Sequence, residues 1–114
     1  MANVSRPHLI LAGLIGAAGV ALAARGSHGG EGNIAIAANF MLLHAAALIG
    51  ISMLSNKVSL WAGYALVAGL ALFAGDLIMR AMLGTPLFPM AAPAGGFGLI
   101  AGWLLLAVSG VWKR

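Results

Sequence analysis

No cysteine occurs in the chain, which excludes disulfides, thiol chemistry and cysteine-ligated metals. Charge is nearly as scarce. Six basic and two acidic residues make up 7% of the sequence, against roughly 25% in a soluble domain. That deficit excludes both a soluble globular domain and a disordered segment, which stays unfolded through polarity and charge. The net charge of +4 is no nucleic-acid footprint, because the basic residues are scattered at the ends of apolar runs instead of forming a patch. There is no phosphate loop, no dinucleotide fingerprint and no nucleophile–base constellation. Ser27 and His28 are sequence neighbours, a poor geometry for a triad, so no catalytic residue is assigned.

What remains is apolar. Hydrophobic residues make up 62% of the chain and gather in four runs, leaving no length for an aqueous domain. At 1.5 Å per residue, runs of about 18 to 25 residues span roughly 27–38 Å, against a hydrocarbon core of about 30 Å. The expectation is an all-α integral membrane four-helix bundle with short loops. It forms a single domain over 1–114, with helices at about 8–25, 34–54, 59–83 and 94–112. The first run, behind Arg6 and ending in Ala21-Leu22-Ala23-Ala24, has the outline of a secretory signal peptide. Its apolar stretch is long enough for a span, and we read it as the first transmembrane helix.

Punctuation follows the same plan. Ser5 is a candidate cap for helix 1, with Pro7 in the first turn. A glycine-rich loop, 26–33, carries His28 and Glu31. Ser55-Asn56-Lys57 is a tight turn, and Ser59 is expected to open helix 3. The longest connection, Gly84 to Pro93, holds three prolines that forbid a regular helix, and its apolar content lays it along the interface. Four spans put both termini and the 55–58 turn on one side. That side holds Arg6, Lys57, Lys113 and Arg114, so the positive-inside rule places both termini in the cytoplasm. Trp61 and Trp112 then fall in the cytoplasmic aromatic belt.

Polar groups at membrane depth are costly, so each asks for a partner or a job. Asp76 and Arg80 are four apart on one face of helix 3, as an ion pair or as part of a site opened from outside. Counting turns from the outer ends puts His44 and Trp103 about 14 Å deep and Asp76 about 10 Å deep, so the three are expected in one layer. In that layer His44 would contact Asp76, and the Trp103 N–H would have Asp76 as acceptor. Gly13, Gly16 and Gly19 on helix 1 would make room for the cluster. Gly98 and Gly102 form a GxxxG on helix 4, suited either to packing within one chain or to a homo-oligomer contact. His28 and Glu31 are too few for a metal site, and the methionines are too dispersed for a copper array, so no metal or cofactor is assigned.

Several of these residues also carry a resemblance. Arg25-Gly26-Ser27-His28-Gly29, Phe40 with His44, Phe73-Ala74-Gly75-Asp76, and Pro93-Ala94-Gly95-Gly96 with Gly102-Trp103 occur in that order over nearly the whole chain. This pattern resembles the small bacterial membrane proteins grouped as domain of unknown function 423, related to transmembrane protein 256 of animals. The resemblance implies a four-helix inner-membrane protein and no particular activity. The chain departs from the commoner pattern at Arg25, where an aromatic residue is usual, and at Asp76, where serine is usual. A charged site of Arg25, Asp76 and Arg80 would thus belong to a subgroup.

The leading functional expectation is a non-enzymatic protein of the bilayer. It would bind a partner protein or small ligand from the outer side through Arg25, His28, Glu31, His44, Asp76, Arg80 and Trp103. The alternative is a homo-oligomeric channel or transporter with Asp76 and His44 as a proton or cation relay. Such a relay needs polar groups on the cytoplasmic side, where the sequence supplies Ser52, Ser55, Tyr64 and Ser109.

Overall fold

The structure, a computed structural model, describes residues 4–29, 32–54 and 56–111, and for 27–29 the backbone alone. It contains four helices: α1 (Arg6–Gly29), α2 (Gly32–Ser52), α3 (Lys57–Leu83) and α4 (Ala91–Val111). All four are long and apolar enough to cross a membrane. Their outward faces carry large apolar side chains, with Leu14 64% exposed, Leu104 62% and Phe97 73%. Such an exterior suits lipid and not water, because a helix apolar all round must be surrounded by apolar matter.

The helix ends differ from the sequence expectation for local reasons. The glycine-rich stretch does not loop out at Gly26, since α1 continues to Gly29 and α2 begins at Gly32. Gly26 is buried, and a Cβ there would lie 3.3 Å from the backbone nitrogen of Ala35. The glycine thus lets the end of α1 press against the start of α2. α3 opens at Lys57, two residues before Ser59, because Asn56 is its cap. The Asn56 Oδ1 accepts from the backbone N–H groups of Val58 (2.7 Å) and Ser59 (3.3 Å). α3 stops where Gly84 adopts φ 75° and donates its N–H to the Arg80 carbonyl. α4 begins at Ala91, which puts Pro93 within the first turn, where a missing N–H costs nothing. The residue before it, Met90, carries φ 69°, a left-handed conformation rare outside glycine.

The helices pack in chain order, α1 on α2, α2 on α3 and α3 on α4, and α1 also touches α3. Two hydrogen bonds gather the terminal end of the bundle. Ser5 N–H donates to the Ser52 carbonyl (2.7 Å), and the Asn56 amide donates to the Ser109 carbonyl (3.0 Å). The starts of α1 and α3 and the ends of α2 and α4 therefore share one side, as the span count requires.

The α3–α4 seam is made of glycine. A Cβ on Gly69 would lie 2.6 Å from the Leu99 nitrogen and 2.8 Å from the Gly95 carbonyl oxygen. Gly95 faces the Phe73 backbone, Gly98 lies against Gly69, and Gly102 sits on Leu66. Gly98 and Gly102 thus pack inside one chain, and the seam also needs Gly69 and Gly95, which the GxxxG pattern did not single out. With water absent, close backbone approach is what holds two apolar helices together. On α1 the expected glycine face is only partly formed. Gly16 and Gly19 meet Ala45 (3.5 Å) and Leu42 (3.1 Å) of α2, whereas Gly13 is exposed with nothing within 4 Å.

This difference is measurable. Gly69→Val should cost about 1–3 kcal/mol through forced separation of α3 and α4. Gly13→Ala should be neutral or stabilise by up to about 1 kcal/mol through helix propensity alone. Unfolding titrations in mild detergent should rank the two variants in that order; equal effects would contradict the seam.

Candidate functional site

Asp76 is the only carboxylate among the described residues, and its side chain is 0% exposed. Both oxygens are engaged. Oδ2 accepts from Arg80 Nε at 2.7 Å, one turn along α3, and Oδ1 accepts the backbone N–H of Leu87 at 2.8 Å. The second bond crosses from α3 into the 84–90 connection and holds it against the helix end. Arg80 is 47% exposed and donates to Asp76 through Nε, so its terminal nitrogens point away from that bond. Around it the connection and the end of α3 present exposed Met82, Leu83, Leu87, Phe88 and Met90. One charged group therefore stands in an apolar surface whose backbone is fixed from below.

His44 lies elsewhere. Its Nδ1 donates to the Phe40 carbonyl at 2.7 Å, and its Nε2 accepts the Trp103 indole N–H at 3.1 Å. A carbonyl only accepts and an indole N–H only donates, so the two partners select the tautomer with the proton on Nδ1. Phe40 extends the cluster to α3, its ring centroid 4.6 Å from that of Phe73. The Trp103–His44 bond joins α4 to α2, two helices whose backbones do not otherwise approach.

The expected single polar layer is not formed. Trp103 follows Gly102, which packs on Leu66, and Asp76 is ten residues further along α3, about 15 Å away. Phe40 pairs with Phe73 and Ile51 stands beside Gly63, so His44 is level with Gly69–Leu70, about 9 Å short of Asp76. Trp103 therefore has His44 and not Asp76 as its acceptor, and the His44–Asp76 contact does not occur. α2 begins at Gly32 and α4 at Ala91, two and three residues before the expected starts, which carries His44 and Trp103 about 3–5 Å further from the level of Asp76.

Of the remaining expected residues, Arg25 is exposed near the end of α1. His28 lies on the last turn of α1 with its side chain outside the described residues, and Glu31 lies outside them altogether. The same holds for Ser55, Trp112, Lys113 and Arg114. Among the described residues no group of three or more His, Cys, Asp or Glu could hold a metal ion.

Sequence reasoning missed His8. Its side chain is 1% exposed, with Nε2 donating to the Leu60 carbonyl (2.9 Å) and Nδ1 accepting from the Ser5 hydroxyl (2.6 Å). Ser5 is thus drawn from capping to holding an imidazole. The ring lies over Gly63, where any side chain would collide with it, and 4.4 Å from the Tyr64 ring. The signal was a histidine in the first turn of an apolar helix, eight positions from the chain start, where it passes for an aqueous residue. Each buried side-chain polar atom among the described residues has a hydrogen-bond partner.

Four membrane-length helices fastened by internal polar bonds define a small polytopic membrane protein. The chain belongs to the family described as Protein of unknown function (DUF423), whose model matches residues 15–96. It is similar to the UPF0382 membrane protein SH2409 of Staphylococcus haemolyticus, 33% identical over 89% of this chain and 92% of that protein. It is also similar to the UPF0382 inner membrane protein YgdD of Escherichia coli K12, at 30% identity over 94% of this chain and 91% of the relative. The UPF0382 membrane protein YwdK of Bacillus subtilis is 28% identical over 90% and 94% of the two chains. No solved structure matches.

Two substitutions probe the fastenings. Asp76→Ala strips a charged acceptor from Arg80 and from Leu87 N–H and should destabilise by about 2–3 kcal/mol. Trp103→Phe leaves His44 Nε2 without a donor and should cost about 1 kcal/mol, the usual scale for interhelical hydrogen bonds in membranes. Thermal unfolding in detergent reads both, and an Asp76→Ala protein as stable as the wild type would contradict a fastening role.

Proposed function

We propose that this is a non-enzymatic membrane protein that docks a second membrane protein on the surface formed by Arg80 and the 84–90 connection. The observation that carries this reading is the bond from Asp76 Oδ1 to Leu87 N–H, paired with that from Asp76 Oδ2 to Arg80. A connection that only links two helices does not need a buried carboxylate to fix its backbone. Here the carboxylate also orients the guanidinium, and both are set among exposed Leu87, Phe88 and Met90. Apolar anchors around an arginine are the composition of a recognition surface.

The positive-inside rule puts this surface on the outer side and both termini in the cytoplasm, with Arg6 and Lys57 at the terminal end. The relay reading has less support. His44 Nε2 already accepts the Trp103 indole N–H, and Asp76 lies about two turns away from it with both oxygens hydrogen-bonded.

Gentle extraction from native membranes followed by native mass spectrometry tests the proposal. The expected result is one membrane protein held at fixed stoichiometry by the wild type and absent from an Asp76→Asn/Arg80→Gln preparation that still folds. The same partner retained by both preparations, or a bare chain in both, would sink it.

A further inference from the structure

On the face of α3 opposite Asp76 lies an open groove of about 280 Å³. Its walls are Leu11 and Ile15 of α1 and Leu70, Ala74 and Ile78 of α3, and Met41 of α2 forms its floor. The groove is shut at the terminal end, where His8 fills the space between α1 and Gly63 of α3. From there it runs along the membrane normal toward the end that carries the α1–α2 connection.

We infer that this groove holds one acyl tail of a glycerophospholipid whose phosphodiester meets Arg25. Three observations select this occupant. The lining residues are all apolar, so nothing in the groove would satisfy a polar ligand. The second is access: the groove lies open on the outer surface of the bundle, where in a bilayer acyl chains are the surrounding medium. The third is register. Leu11, Ala18 and Arg25 are spaced by seven, a drift of about 20° per step and about 40° from Leu11 to Arg25, which keeps them on one side of α1. Arg25 is ten residues beyond Ile15, about 15 Å, and half of a 30 Å hydrocarbon core is the depth of one leaflet. A tail lying against Ile15 and Ile78 therefore brings its headgroup to the level of the exposed Arg25. A guanidinium has five donors, enough for a phosphate oxygen beside any other partner. Met41, flexible and polarisable, lets the floor adapt to tails of different length. The site is separate from the docking surface and requires no particular orientation in the membrane.

Native mass spectrometry of the full chain, titrated with phosphatidylglycerol or with the diacylglycerol bearing the same tails, provides the test. The wild type should retain one phosphatidylglycerol and hold the diacylglycerol about tenfold less well, the difference one charged hydrogen bond makes. Arg25→Gln should lose that preference. Ala71→Phe, which places a ring in the groove from an exposed position, should lose the bound lipid altogether. Phe97→Ala, on the exposed face of α4, should change neither. A phosphatidylglycerol carrying a photoreactive tail gives a readout on the wild type alone, with label expected on peptides containing Leu11, Met41 or Ile78. Label confined to α4, equal retention of both lipids by the wild type, or a lipid-free dimer closed over the groove would overturn the inference.

Discussion

A polar group in hydrocarbon has no water to fall back on, and the rest of this structure follows from how each such group is satisfied. Apolar helices in lipid gain little from meeting one another, because a lipid tail is as good a neighbour as a leucine. What distinguishes one arrangement from another is close backbone approach and the few hydrogen bonds that cross between elements. Besides the Ser5–Ser52 and Asn56–Ser109 bonds at the terminal end, the described residues supply three sets of such bonds. His8 and Ser5 tie α1 to α3, His44 and Trp103 tie α2 to α4, and Asp76 ties α3 to the 84–90 connection. Glycine packing closes the α3–α4 seam between them.

These fastenings also decide what the polar residues are free to do. A histidine with both ring nitrogens engaged inside the chain is a poor carrier of protons, and a carboxylate with both oxygens occupied is a poor ion ligand. The proposed contacts with other components of the membrane fall to Arg80 with its apolar surround and to Arg25 near the end of α1. The internal bonds of His44 and Asp76 favour the binding reading over the relay.

The architecture was legible in the sequence because length and hydropathy alone set it. Four runs near 20 residues each, with almost no charge, have one economical solution in a bilayer. Element ends were less legible, since they turn on tertiary detail. Gly26 reads as a loop residue until Ala35 is seen packing on it, and Asn56 outcompetes Ser59 as a cap through a single side-chain oxygen. The polar residues were legible as individuals and not as partners. Depth arithmetic rests on where each helix starts, and with α2 and α4 beginning two and three residues early, Trp103 was assigned to the wrong acceptor. His8 was invisible for a related reason. Only the fold brings Leu60, Gly63 and Tyr64 around it, and nothing in the first eight residues announces burial.

The most direct measurement of internal satisfaction is the nitrogen-15 NMR spectrum of His44 in the protein reconstituted in bilayers. The geometry predicts a protonated Nδ1 and an Nε2 that carries no proton of its own and shifts when Trp103 is replaced by phenylalanine. A proton on Nε2, or a spectrum indifferent to Trp103, would contradict the account.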